Sequence, residues 1–143
     1  MHKFQRDYEI VFWSLFGFLS VIFSILSIWF KGSFFGFAIG ALSSYLLFMI
    51  TRIFGMIPLK KRKSLIFLNI LKMFVFFIYL TAVILSIYHI NLKIYALKKY
   101  TWLSEFTLPI NMFVFFGSVG FNFFVIIATF IYSKYKGGKI GRN

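Results

Sequence analysis

Four separate runs of about 20 apolar residues dominate this chain, and each is long enough to cross the roughly 30 Å hydrocarbon core of a bilayer. They lie at Ile10–Phe30, Ser33–Ile53, Leu65–Ile90 and Leu108–Tyr132. A backbone in lipid has no water to pair with, so each run must close its hydrogen bonds within itself as a helix. The linkers are too short to hold a soluble domain. The sequence therefore predicts an all-α, polytopic membrane protein: four transmembrane helices in two antiparallel hairpins, one membrane domain over residues 1–143.

Composition excludes the alternatives. A soluble domain of this size leaves about a third of its surface in water. It could not hide 23 Phe, 8 Tyr and 3 Trp in a chain that is 61% hydrophobic and 13% charged. The net charge of +13 sits between the apolar runs and not along one basic face, so nucleic acid is excluded as a partner and membrane lipid is the first partner implied. Cysteine is absent, which removes disulfide and thiolate chemistry. The first run has 21 residues and no small-x-small site after it, so it reads as a retained helix and not a cleaved leader.

Basic residues near helix ends set orientation. Lys3 and Arg6 precede the first helix. Arg52, Lys60, Lys61, Arg62 and Lys63 lie between the second and third, and Lys134, Lys136, Lys139 and Arg142 follow the fourth. The opposite side carries only Lys31, Lys93, Lys98 and Lys99. Both termini are expected in the cytoplasm. The outer segment 91–107 mixes lysines with Tyr95, Tyr100 and Trp102; an interfacial helix and an ordinary loop both fit it.

Catalysis lacks its parts. The only acids, Asp7, Glu9 and Glu105, are expected outside the spans or at their edges, which leaves no carboxylate at depth for an ion path. His2 and His89 stand apart with no acid or thiol beside them, so no metal set forms. No nucleophile–base spacing and no glycine-rich phosphate loop is present. The expectation is a non-enzyme without cofactor or metal.

What remains are packing motifs. Gly32, Gly36, Gly40 and Ser44 recur every four residues and so share one helical face, the small-xxx-small pattern that lets two membrane helices approach closely. Two readings stand: the stripe packs internally against the first or third helix, or it docks a partner's helix. Ser14, Gly17, Ser20, Ser24 and Ser27 make a similar stripe on the first helix, able to face it. Phe37 and Phe48 are then expected to face lipid. On the third helix Asn69, Lys72, Tyr79 and Ser86 share a face. Lys72 lies about one turn inside the span; its stem either snorkels to the headgroups or pairs with an acid from outside this chain. Asn111, Ser118, Asn122 and Thr129 form a polar stripe on the fourth helix, read as internal glue.

The run Gly36-Phe37-Ala38-Ile39-Gly40-Ala41-Leu42-Ser43-Ser44-Tyr45-Leu46-Leu47-Phe48 resembles the glycine-and-small second helix of the ATP synthase protein I family. Asn69-Ile70-Leu71-Lys72-Met73-Phe74-Val75 is similar to the start of that family's third helix, where members often carry Gly-Glu ahead of the lysine and this chain has Leu68-Asn69. The resemblance covers roughly residues 10–90. It implies a bacterial inner-membrane assembly factor that helps gather c subunits into the rotor ring of F-type ATP synthase, with Gly32, Gly36, Gly40, Ser44, Asn69 and Lys72 as partner-binding residues. A subunit of a small-molecule importer and a structural membrane scaffold are the alternatives, and a homo-oligomer is left open.

Overall fold

Gly32 is where the chain first reverses. Its φ of +77° lies in the left-handed region that glycine enters without a Cβ clash. The turn it closes joins α1 (His2–Leu26) to α2 (Ser33–Gly55), and the Phe34 N–H, at the start of α2, donates to the Ser27 hydroxyl at 2.9 Å. The computed structural model describes residues 2–57, 62–97 and 107–140, and its remaining helices are α3 (Arg62–Leu97), α4 (Met112–Val119) and α5 (Phe121–Ile140). Among the described residues four stretches are long and apolar enough to cross a membrane: Phe4–Leu26, Ser33–Gly55, Ser64–Ile94 and, across α4 and α5, Met112–Lys136. The chain is an all-α, multi-pass membrane fold. The first span lies earlier than the sequence predicts because residues 27–32 are consumed by the turn. The fourth lies later because Asn111 caps it, its side chain accepting from the N–H groups of Phe113 and Val114. The segments 58–61 and 98–106, with Lys60, Lys61, Tyr100, Trp102 and Glu105, lie outside the described residues. The first part of the expected outer segment continues α3 to Leu97.

The glycine stripe of α2 packs internally, against neither of the neighbours expected. Its occupant is the fourth span. A Cβ on Gly36 would collide with the carbonyl oxygen of Asn111; one on Gly40 would stand 2.6 Å from the carbonyl oxygen of Phe115 and 2.7 Å from the Ser118 Cβ. Gly32 faces the carbonyls of Thr107 and Pro109 just ahead of α4. One turn further, the Ser44 hydroxyl accepts from the Asn122 N–H at 2.9 Å. That N–H is available because the fourth span is interrupted at Gly120. The polar stripe of this span faces inward: Asn111, Ser118 and Thr129 are all buried.

Because the stripe is taken, α1 meets α2 elsewhere. Its packing face is aromatic: Tyr8, Phe12, Phe16 and Phe23 lie against Phe37, Ala41, Tyr45 and Phe48. Phe37 is therefore buried, at 2% exposure, and not lipid-facing. Ser14, Gly17 and Ser24 point outward, and the close ring contacts of Tyr8 with Phe48, Phe12 with Tyr45, and Phe16 and Phe23 with Phe37 supply the packing in their place. The expected second hairpin is also looser than the first, because the fourth span packs on α2 and α1 more than on α3.

At the end opposite the termini a buried asparagine fixes the approach to α4. Asn91, 0% exposed, donates to the Ile110 carbonyl at 2.8 Å and accepts from the Ile110 N–H at 3.1 Å. The next N–H, of Asn111, donates to the Gly32 carbonyl at 3.1 Å. Ile87 of α3 packs there with Ile110, Met112 and Phe115.

These contacts make the glycines unequal. Gly36→Ala and Gly40→Ala should each destabilise the bundle by about 2 kcal/mol. Gly17→Ala, with nothing within 4 Å, should be neutral or stabilising by about 0.5–1 kcal/mol, the helical preference of alanine over glycine. Denaturant unfolding in detergent micelles checks the ranking; equal effects at all three positions would contradict it.

Candidate functional site

Residues 91, 87, 83, 80, 76, 72, 69 and 65 recur at intervals of three or four and so form one face of α3. At the end opposite the termini this face is covered: Asn91 and Ile87 are buried. Toward the termini full burial gives way to half-burial: Val83, Leu80, Phe76, Lys72, Leu68 and Ser64 are half-buried, while Asn69 and Leu65, at the edge of this face, are exposed. Among the described residues, the tie between α3 and α2 nearest the termini is the Tyr79 hydroxyl donating to the Ser43 hydroxyl at 3.1 Å. Below it no described side chain of α3 is fully buried. Lys72 lies half-buried on the inward face, with Asn69 exposed at its edge.

The Tyr79–Ser43 bond also sets the depth of Lys72. The two helices are antiparallel, so moving seven residues down α3 brings Lys72 level with Ile50, five residues from the end of α2 at Gly55. At 1.5 Å per residue that is about 7 Å from that end of α2. Lys72 makes no ion pair or hydrogen bond among the described residues.

Beside this face runs a groove of about 330 Å³ between α2 and the fourth span, lined by Ser44, Leu47, Val119, Gly120, Asn122, Phe123 and Ile126. Its polar atoms are largely engaged. Ser44 accepts from Asn122, and the Asn122 side-chain oxygen accepts from the Tyr8 hydroxyl at 2.6 Å. The walls offer mainly apolar surface.

The expected partner-binding residues therefore divide. Gly32, Gly36, Gly40 and Ser44 are covered by the chain's own fourth span, so a foreign helix reaches them only by displacing it. Asn69 and Lys72 are accessible.

One buried group stands against the sequence reading. Asp7, expected at the edge of a span, is 0% exposed. Neither carboxylate oxygen accepts a hydrogen bond; the charge is met by the Lys136 ammonium at 3.6 Å, whose side chain is 36% exposed. Lys136 also stands 5.5 Å from the Tyr132 ring centroid. The pair ties the first span to the last at the termini end. Its signal in the sequence is helical spacing: Val125, Thr129, Tyr132 and Lys136 follow one another at three or four residues, so Lys136 shares the side of Val125 and Thr129, both buried. Among the described residues no three His, Asp or Glu side chains converge as a metal set would require. Comparison with family models, with curated proteins and with solved structures finds no match.

A buried charge left alone costs more than the pair gains. Lys136→Met should destabilise by about 2–3 kcal/mol, whereas Asp7→Leu with Lys136→Met should return the bundle to within about 1 kcal/mol of the parent. A double-mutant cycle on unfolding in micelles measures this coupling; additive single effects would show that the two side chains do not interact.

Proposed function

We propose that this chain is a non-enzymatic accessory protein of a bacterial cell membrane that helps assemble the rotor ring of an F-type ATP synthase by holding c subunits. The observation that carries the reading is the half of α3 nearer the termini, where no described side chain is fully buried, Asn69 is exposed, and Lys72, half-buried, forms no ion pair among the described residues. A membrane helix with a face so thinly covered, and a lysine on it without a counter-charge among those residues, is suited to receive another helix. The resemblance of residues 36–48 and 69–75 to the ATP synthase protein I family names the partner. Rotor c subunits present small-residue helices and an intramembrane carboxylate, the complement of Lys72.

The closed glycine stripe moves the proposed docking surface from α2 to α3. The importer reading gains less support, since the clefts are small and apolar and a solute site needs convergent polar groups. A pure scaffold gives no use for the unpaired lysine.

In this reading both termini and the basic linker after α2 face the cytoplasm. The chain has no cysteine, so single cysteines report cleanly. Lys61→Cys and Gly138→Cys should resist an impermeant thiol reagent in intact cells and react after permeabilisation; labelling of either in intact cells would invert the topology. Tagged parent protein should co-purify c subunit, and Lys72→Gln should recover several-fold less. Capture undiminished in the Gln variant would remove Lys72 from the docking surface, and absence of c subunit from both would remove the rotor role.

A further inference from the structure

The groove beside Ser44 and Leu47 cannot stand empty in a bilayer, and its surroundings specify what fills it. At the deep end the polar atoms of Ser44 and Asn122 already bond each other and Tyr8, so the occupant need bring no hydrogen-bonding group there. The walls, Leu47, Val119, Phe123 and Ile126, are apolar. The groove, about 330 Å³, suits a hydrocarbon chain. Leu47 lies one turn from Ser43, so the groove borders the side of α2 that meets α3. Toward the termini the next charged group on that side is Lys72, level with Ile50, from where a long lysine stem can extend toward the headgroups.

The sign of the headgroup follows from the acids. Asp7 is buried with Lys136, and among the described residues neither Asp7 nor Glu9 forms an ion pair with Lys72. An unpaired ammonium at the edge of hydrocarbon favours a ligand with net negative charge over a zwitterion that carries its own cation.

We propose that the α2–α5 groove and Lys72 together form a site for one anionic phospholipid, with an acyl chain lying along Leu47 and Ile126 and the headgroup phosphate at the Lys72 ammonium. This goes beyond the rotor-assembly reading and does not depend on it. It supplies an occupant for the site in the free protein, one that a protein carboxylate arriving at Lys72 would displace from the headgroup side.

The test uses full-length protein reconstituted in vesicles of nine parts phosphatidylcholine to one part phosphatidylglycerol, gently extracted, with retained lipid counted by mass spectrometry. Parent protein and Lys72→Arg should retain phosphatidylglycerol enriched about fivefold over its bulk fraction, the worth of one basic residue near an anionic surface. Lys72→Gln should retain it at the bulk ratio. Leu47→Trp, which fills the groove and leaves the charge in place, should also lose the enrichment. Inorganic phosphate should not displace the retained lipid, because it brings no chain for the groove. Equal enrichment in the parent and Lys72→Gln would overturn the headgroup assignment. Enrichment that survives Leu47→Trp, or that yields to inorganic phosphate, would overturn the acyl-chain assignment. A failed c-subunit capture leaves all these readings unaffected, so the two proposals fail separately.

Discussion

The close approach of two backbones, α2 to the fourth span, is the contact on which the rest of this structure depends. Lipid tails are as apolar as side chains, so helices in a bilayer gain little from burial alone and associate through close packing and hydrogen bonds. Gly36 and Gly40 provide the close packing, with carbonyls of Asn111 and Phe115 where their side chains would be. Polar contacts at both ends of the stripe hold the register: Asn111 to Gly32 and Asn122 to Ser44. With one side of α2 occupied this way, α1 takes the neighbouring aromatic side, and α3 is left the remaining one.

That division explains the uneven cover of α3. Its outer half is secured by Asn91 against Ile110 and by Ile87 in the cluster around Phe115. Among the described residues no hydrogen bond or fully buried side chain holds the half nearer the termini, where the fourth span leaves the glycine stripe past Asn122 and leans on α1 through Asp7 and Lys136. The surface with scope for partners is therefore the inward face of α3 and the groove beside it. This follows from packing and from no catalytic constellation. A small bundle that keeps one helix half-docked can offer apolar surface to another membrane component without unfolding its core.

Much of this was legible in the sequence. Four apolar runs fixed the class and the number of spans, and the four-residue recurrence of Gly32, Gly36, Gly40 and Ser44 marked a close helix contact. Which helix fills the stripe was not legible, because small residues say how near a neighbour comes and not which neighbour it is. The serines of α1 looked like the matching surface, but the rings of Tyr8, Phe12 and Phe23 make the contact in their place. Asp7 looked like a headgroup residue from its position near the N terminus; the helix begins earlier than the apolar run does, and that carries Asp7 into the bundle. Lys72 stood out by its charge inside an apolar run and by its helical spacing from Asn69 and Tyr79; the Tyr79–Ser43 register adds its level with Ile50 on α2.

The central claim is that the stripe is filled by the same chain. It is tested most directly by paired cysteines in a background that has none. Ser44→Cys with Asn122→Cys, treated in native membranes with a short bifunctional thiol reagent, should crosslink within one chain and run as a monomer. Leu42→Cys with Asn122→Cys, on the lipid side of α2, should not crosslink. Crosslinking of the 44–122 pair only between chains, or equal crosslinking of both pairs, would mean that the stripe holds another molecule's helix and would contradict the account.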